Sequence, residues 1–295
     1  MSKEFIYTFI IPHKNCPNLL KRCVDSIPRF DDIQIIVVDD NSDDDKRPDI
    51  KRDGLEVIVL DGDQSKGAGR ARNVGLEHAH GRWLLFADAD DYYSENLIHL
   101  LDRFRDDTST DIVYLSAEKF DEKNIFGELN EKKAIQSYLN GGDYAEMLLR
   151  YNMWTPWSRM VRRSVVVENK IKFDEIPACN DKMFGLKSSQ YSKKIEVFPE
   201  TIYYYYRPSF NSQTDNKRNR YMFDDMMDLR GRTIILYQEV GYKFVPSMAE
   251  IAMSKQYAKD MSKSILLIKY LSFLKQYKIS LFKDLVRFLF KKLNH

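Results

Sequence analysis

Short, uninterrupted apolar runs alternate along the first hundred residues with segments whose apolar positions recur every three to four residues. FIYTFIIP (5–12), IQIIVVDD (33–40), LEVIVL (55–60) and RWLLFADAD (82–90) are the apolar runs, several of them ending in polar residues. Runs of this length and character predict strands covered on both faces. Between them, NLLKRCVDSI (18–27) puts Leu19, Leu20, Cys23 and Ile27 on one helical face, and GRARNVGLEHAHG (69–81) reads as a helix stopped by glycine. ENLIHLLDRFR (95–105) reads as a third helix, with Ser94 as its N-cap. Buried strands alternating with helices predict an α/β fold, a mostly parallel sheet sandwiched by helices. Ligands of such sheets bind beyond the carboxyl ends of the strands. Three polar clusters fall there: Pro12–Asn15, Asp39–Ser42 and Asp88–Asp91.

The alternation loosens beyond residue 110. DIVYLSAEKF (111–120) reads as a strand and YAEMLLRYN (144–152) as a helix. WTPWSRMVRRSVVVENKIKFDE (154–175) is aromatic, then basic, then strand-like, and TIYYYYR (201–207) is a tyrosine-rich strand. From 221 the pattern is helical, in two stretches (221–241 and 247–293) broken at Gly241–Pro246. The polar loop at 210–220 marks the expected boundary, giving a catalytic-type domain over 1–215 and a helical C-terminal extension over 216–295.

Composition narrows the class. A chain of 295 residues holds one large domain or two modest ones. Its 46 basic and 44 acidic side chains leave a net charge of +2, which gives no nucleic-acid partner a global electrostatic footing. Cys16, Cys23 and Cys179 are odd in number and form no CxxC pair, so they read as free thiols of a reducing compartment. MSKEFIYTFIIP enters its first strand with no secretory leader pattern, and no run of 18 apolar residues follows. The expected localisation is cytoplasmic.

The chemistry gathers at 88–91. Asp88, Asp90 and Asp91 crowd the end of a buried run, where like charges raise one another's pKa unless a cation sits among them. Carboxylates in a D-x-D pattern suit a hard divalent ion such as Mg²⁺ or Mn²⁺, shared with a substrate phosphate. A solvated turn is the competing reading of those residues. KGAGRARNVG (66–75) adds positive charge and a helix N-terminus: Gly67 and Gly69 would permit close backbone approach, and Arg70 and Arg72 carry forked donors for a phosphate. A dinucleotide fingerprint is excluded, since Arg72 stands where its third glycine belongs and six residues separate the glycines from the preceding strand.

Four stretches, FIIPHKN, IIVVDDNSDD, GAGRARNVGLEHAHGRWLLFADADD and IKFDEIPACNDKMFGLK, resemble the family 2 glycosyltransferases in order and spacing, over about residues 5–207. The resemblance implies a GT-A fold and transfer of a sugar from a nucleotide-diphosphate donor, here a UDP-sugar, to an acceptor hydroxyl with inversion. It implies further that Pro12, Asp39 and Asp40 line the nucleoside pocket, that Arg72 lies near the nucleotide, and that Asp88 is the ribose-side acid. Asp90 would be the ligand of Mn²⁺ or Mg²⁺, with Asp91 supporting the turn. Asp181, in CNDKMFGLK, matches the aspartate that serves as general base, although Asn180 replaces the usual glutamate before it. A plain helix N-cap is the other reading of Asp181, and Glu175 is the next acid to consider as base. His13-Lys14 is a second departure from the family pattern, with consequences for nucleoside packing.

Trp154 and Trp157 offer either an acceptor platform or core packing, and Arg207 either a pyrophosphate contact or a surface arginine. Two other functions compete with transfer: a sugar-phosphate nucleotidyltransferase, which would want a glycine-rich loop after the first strand where IPHKNCPN has none, and a non-catalytic nucleotide-sugar-binding protein. The acceptor implied by the resemblance is a surface glycan or a lipid-linked glycan. The C-terminal segment 262–295 carries eight basic residues and one acid, Asp284, with Leu281, Phe282, Leu285, Val286, Leu289 and Leu293 along one face. Segment 278–295 therefore suits an anionic membrane surface, which would make the protein peripheral at the inner face of the membrane; a helix packed on the protein is the alternative.

Overall fold

The computed structural model describes residues 4–64, 66–121, 125–142, 144–207, 222–253 and 261–293. The chain divides into two compact units, Met1–Ser209 and Phe210–His295.

The first unit is built on a sheet of nine strands: β1 (Tyr7–His13), β2 (Ile33–Asp40), β3 (Leu55–Leu60), β4 (Trp83–Phe86), β5 (Tyr92–Tyr93), β6 (Ile112–Phe120), β7 (Ile125–Glu128), β8 (Arg159–Arg162) and β9 (Ile195–Tyr206). Their order is β3-β2-β1-β4-β8-β6-β9-β5, with β7 paired to β6. The helices are α1 (Pro17–Asp25), α2 (Ala68–His78), α3 (Leu97–Phe104), α4 (Asn130–Leu139), α5 (Ala145–Asn152), α6 (Arg163–Glu168) and α7 (Lys182–Tyr191).

Strand alternation divides the core in two. Tyr7, Phe9, Ile11, Ile35 and Val37 face one side with Leu20, Cys23 and Val24 of α1 and Leu97, Leu100 and Leu101 of α3. Ile10, Ile36, Val38, Leu84 and Phe86 face the other, with Ala71 and Val74 of α2 and Phe184 of α7. Both faces of the sheet are thus covered, which is why β1, β2 and β4 read as continuous apolar runs.

Parallel pairing runs through β3, β2, β1 and β4, as the alternation predicts. Next to β4 the chain departs from that pattern. β8 enters antiparallel between β4 and β6, and β6 then pairs parallel with β9. The stretch 154–175 also sorts differently from its pattern: its basic part, RMVR, is the strand, while RSVVVE is helix α6. The Arg163 amide donates to the Arg82 carbonyl (2.8 Å), just before β4 begins, and Val165 and Val166 are then buried as helix residues. Their burial outweighs the small helix penalty of β-branched side chains. Ser94 does not cap α3; its hydroxyl donates to the Thr201 carbonyl.

The second unit contains α8 (Phe223–Glu239), α9 (Ala249–Ala252), α10 (Lys263–Gln276) and α11 (Leu281–Leu293), so the expected long stretch at 247–293 is divided into shorter helices. Asp284 of α11 is fully buried. It accepts from the Met248 and Ala249 amides (2.8 and 3.1 Å), Ser247 Oγ (3.0 Å) and Tyr270 Oη (2.8 Å). A carboxylate there satisfies the free amides at the start of α9 and ties three helices together. The expected interfacial helix is accordingly anchored by its one acid: Leu285 and Val286 are half-buried, while Leu281, Phe282 and Leu289 stay exposed.

Candidate active site

Three strand ends meet where the sequence places its polar clusters. Parallel register sets His13 beside Asp39, and the two side chains, both fully buried, bond at 2.7 Å. His13 Nε2 accepts from the Cys16 amide (3.1 Å), so Nδ1 carries the proton and donates to Asp39. Ser42 supplies its amide (3.2 Å) and its hydroxyl to the same carboxylate. Asp39, expected in a nucleoside pocket, is thus fully buried and engaged in holding the β1 and β2 ends together. Pro12, one residue earlier, is half-buried in β1. Asp40 is nearly as closed. It accepts from the Gly67 amide (3.1 and 3.3 Å to its two oxygens), and Lys14 Nζ lies 3.6 Å away.

Those bonds change the reading of the glycine segment. The Gly67 amide at the N-cap of α2 is taken by Asp40, and the close approach that Gly69 allows is to the chain itself: a Cβ there would lie 2.0 Å from the Asp174 carbonyl oxygen. Helix α2 is thus pressed onto the loop 173–181. Asn73 accepts from the Phe173 amide (2.9 Å) and donates to the Phe173 carbonyl (3.0 Å). Arg72 Nη1 donates to Asn180 Oδ1 (2.9 Å), Nη2 pairs with Asp88, and the guanidinium lies over the Phe173 ring. Arg72 is buried, and its Nε has no hydrogen-bond partner. Arg70 turns aside toward Glu175, 3.6 Å away. One arginine, not two, is built into the site.

The turn after β4 is gripped from two sides. Tyr203 Oη of β9 accepts from the Asp88 amide (2.9 Å) and donates to Asp91 Oδ2 (2.6 Å); the Tyr206 amide donates to Asp91 Oδ1 (2.7 Å). Asp91 is fully buried. Burial, reinforced by the charges of Asp88 and Asp90, pushes its carboxyl well above the usual range. From α1, Arg22 Nη2 donates to the Asp90 carbonyl (2.5 Å), with its guanidinium among the rings of Tyr92, Phe120 and Tyr206. Arg22 and Tyr203 were not among the residues singled out from sequence. A last-turn arginine on α1 and one tyrosine in a run of four give no local signal of a shared task; only the sheet order brings them to one turn.

Asp88 and Asp90 remain partly open. Burial and the neighbouring Asp88 raise the Asp90 carboxyl to about 6, opposed by Arg22. Among the described residues no three His, Cys, Asp or Glu side chains converge as metal ligands. Two carboxylates on one turn, one of them raised by burial and by the charge of the other, nevertheless fit a hard divalent ion, which takes one or two protein carboxylates and fills its shell with phosphate and water oxygens.

Asp181 stands at the start of α7, next to the Asn180 that Arg72 ties to Asp88. It occupies the N-cap position, yet its side chain makes no capping bond. Burial lifts its carboxyl to about 6, with Asp88 adding to the rise and Arg72 and Arg159 opposing it. Arg159, fully buried, anchors the helix that carries it: Nη1 donates to the Gly185 carbonyl (2.7 Å), Ser188 Oγ (3.0 Å) and Ser189 Oγ (3.1 Å). Glu175 is less available, since it accepts from Asn73 (3.3 Å) and pairs with Arg70.

The two tryptophans separate. Trp157 is buried and stacked on Tyr203 (5.2 Å) and Tyr205 (5.7 Å), which is core packing. Trp154 is half-exposed beside α7, with Lys182 Nζ 5.7 Å from its ring centre and Gly185 packed against its backbone. Arg207 is exposed at the end of β9, its amide bonded to the Phe120 carbonyl (2.8 Å).

The chain is similar to known proteins in sequence and in fold. The family model "Glycosyl transferase family 2" matches residues 8–168. A poly(ribitol-phosphate) beta-glucosyltransferase of Bacillus spizizenii is 28% identical over 208 residues, 67% of this chain and 32% of its own length. The uncharacterized glycosyltransferase EpsJ of Bacillus subtilis is 25% identical over 80% of this chain and 71% of its own. The chain thus spans only about a third of the first of these relatives. Among solved structures, residues 1–349 of TarS from S. aureus in complex with UDP-GlcNAc superpose with a TM-score of 0.66 at 17% identity, covering 92% of this chain and 80% of that one. The mannosyltransferase PcManGT of Pyrobaculum calidifontis, in complex with GDP-Man and Mn²⁺, gives 0.53 at 14% identity, covering 99% and 88%. At those identities the likeness is one of fold, and the fold is that of the GT-A enzymes.

Proposed function

The chain belongs to glycosyl transferase family 2, and we propose that it is a glycosyltransferase that moves a sugar, with inversion, from a UDP-sugar to a hydroxyl of a surface glycan or a lipid-linked glycan. One observation carries the reading: Asp181, an acid with a carboxyl near 6 and no capping bond, stands in one crevice with Arg72 and the turn 88–91. Inversion needs a base on the face opposite the leaving group. Asp181 takes the acceptor proton as its oxygen bonds to the anomeric carbon, and the nucleoside diphosphate leaves on the other side. Buried Arg72 positions Asp88 and the Asn180 that precedes the base, so donor side and acceptor side are held by one guanidinium.

Asp90, with Asp88 beside it, would hold Mn²⁺ or Mg²⁺, which neutralises charge on the departing diphosphate when bound. Asp40, paired with exposed Lys14, takes the nucleoside role in preference to Asp39, which is fully buried against His13. Trp154 supplies the acceptor platform and Arg207 the outer pyrophosphate contact. The names of the relatives, which include beta-glucosyl- and beta-N-acetylglucosaminyltransferases acting on poly(ribitol-phosphate), support a cell-surface glycan as acceptor. The test is a panel of sugar nucleotides with Mn²⁺, read first as protection against thermal unfolding and then as nucleoside diphosphate release. A protein protected by no sugar nucleotide, with or without the ion, would overturn the donor assignment.

A further inference from the structure

Helix α10 is apolar on both sides, and only one side is covered. Tyr270 and Leu274 are buried and Leu266 and Phe273 half-buried; they form the inward face at helical spacing, and Tyr270 donates to Asp284. On the opposite face, Ile265 is 45% exposed, Leu267 56%, Ile268 67% and Leu271 43%. A helix that is hydrophobic all round belongs in a core or in lipid, and a cluster of four exposed aliphatic side chains on one face is more than scattered surface apolarity. At 14 residues α10 is too short to span a bilayer, and no helix among the described residues is long and apolar enough to do so.

The charges around this face favour one kind of partner. Residues 262–283 contain five lysines (Lys263, Lys269, Lys275, Lys278 and Lys283) and no acid. Lys269 is engaged with Asp224 (2.6 Å), leaving Lys263, Lys275, Lys278 and Lys283 exposed around the apolar face and the turn that follows it. Leu281 (44% exposed) and Phe282 (76%) continue the exposed apolar surface just beyond that turn. A second copy of the chain presenting the same face would bring lysine against lysine. An anionic bilayer surface meets both features at once, accepting the aliphatic side chains at the headgroup boundary and pairing the lysines with lipid phosphates.

We propose that α10, with the turn into α11, is a docking surface for an anionic membrane, lying in the plane of the interface. The contact is carried by the outward face of α10, not by the apolar face of 278–295 that the sequence favours, because α11 is held to its own unit through buried Asp284. For a glycosyltransferase the consequence is an active site kept close to a membrane-borne acceptor, and in that respect only the inference rests on the proposed function.

The experiment uses the full chain and needs no donor. Co-sedimentation is measured with vesicles of phosphatidylcholine alone and of phosphatidylcholine with 30% phosphatidylglycerol, at low and high salt. Binding is expected to the anionic vesicles and to weaken with salt. At about 1 kcal/mol per lysine near the surface, K275E/K278E should reduce binding by at least roughly thirtyfold. L267D/I268D changes only exposed side chains, so a melting temperature close to wild type is expected together with loss of vesicle binding. Equal binding to neutral vesicles, no binding to either, or unchanged binding by L267D/I268D would overturn the proposal. So would a wild-type dimer in analytical ultracentrifugation that L267D/I268D dissolves, since the face would then belong to a second copy. Nucleoside diphosphate release by the unbound protein is scored separately, so loss of one reading leaves the other standing.

Discussion

Asp181→Asn separates a base from a structural acid through two measurements that move in opposite directions. The carboxyl is held near 6 against an ordinary 3.8, chiefly by burial. At about 1.36 kcal/mol per tenfold in proton affinity, the ionised native state is penalised by roughly 3 kcal/mol. The sign follows from which state gives up its proton first. In the unfolded chain Asp181 ionises near 3.8, in the folded protein near 6, so wild-type stability declines as pH rises between those values. Asparagine carries no charge to bury, and no capping bond is lost with the carboxylate. The variant should therefore match wild type below pH 4 and become more stable above pH 6, by at most ~3 kcal/mol and less where Arg72 compensates the charge. Denaturant unfolding at pH 4 and pH 8 reads this directly.

Activity should fall while stability rises. Loss of general-base assistance costs about 10²–10⁴-fold in turnover, with donor protection unchanged because the donor contacts lie across the crevice. The wild-type rate should itself drop as pH is lowered through about 6, where the base takes up its proton; the variant should lack that limb. A variant that is less stable at pH 8, or that transfers sugar at the wild-type rate, would refute the assignment.

Asp90→Asn should behave in parallel on the donor side: higher stability above pH 6, where a carboxylate raised by burial and Asp88 is removed, and loss of the divalent-ion dependence of turnover. Equal wild-type activity in EDTA and Mn²⁺ would take the ion out of the mechanism. Tyr203→Phe leaves an amide and a buried carboxylate oxygen without their shared hydroxyl, which should cost about 1–3 kcal/mol in unfolding free energy and weaken donor binding; calorimetry and donor titration check the two effects. Arg72→Lys keeps the charge but cannot reach Asp88 and Asn180 together, so kcat/KM should fall by about tenfold or more. A conservative outcome there, with kinetics unchanged, would mean that the forked geometry is not used.

Much of the fold was legible because burial on both faces of a sheet forces continuous apolar runs, and β1, β2 and β4 have no freedom to disguise them. The same logic hid β8. Its sequence, RMVR, reads as surface, yet Arg159 is fully buried against α7 and Arg162 is buried over the Trp83 ring, 4.3 Å from its centre. An arginine whose donors all find carbonyls and hydroxyls can be buried, and residue type does not announce those partners. Acids at strand ends likewise have partners that residue type does not announce. Asp39 and Asp40 look like a pair reaching for ligand, but parallel register turns the first onto His13, and the positive-φ turn at Gly67 (φ 84°) brings an amide onto the second. Asp181 was legible as either base or cap; its side chain stands at the N-cap without a capping bond, and turnover by Asp181→Asn decides between the two.

The charge balance of the crevice links these residues into one account. Asp39 is taken up by His13 and Ser42. Lys14 answers Asp40 and Arg72 answers Asp88, while Arg22 spends its donated bond on a backbone carbonyl. Asp90, Asp91 and Asp181 still leave acids in excess, with Arg22 opposing at Asp90 and Arg72 and Arg159 at Asp181, and all three carboxyls are raised, burial being the largest cause. A nucleoside diphosphate entering such a crevice adds further negative charge and would be repelled unless a cation came with it. On the proposed reading the excess therefore has two uses. It creates the demand for a divalent ion at the turn, and through Asp88 it adds to the burial that raises the Asp181 carboxyl. Binding an ion at 88–91 should relieve part of that repulsion, so saturating Mn²⁺ should move the acid limb of the rate profile to lower pH. A limb that stays fixed from low to saturating Mn²⁺ would mean that the two sides of the crevice are not coupled through charge.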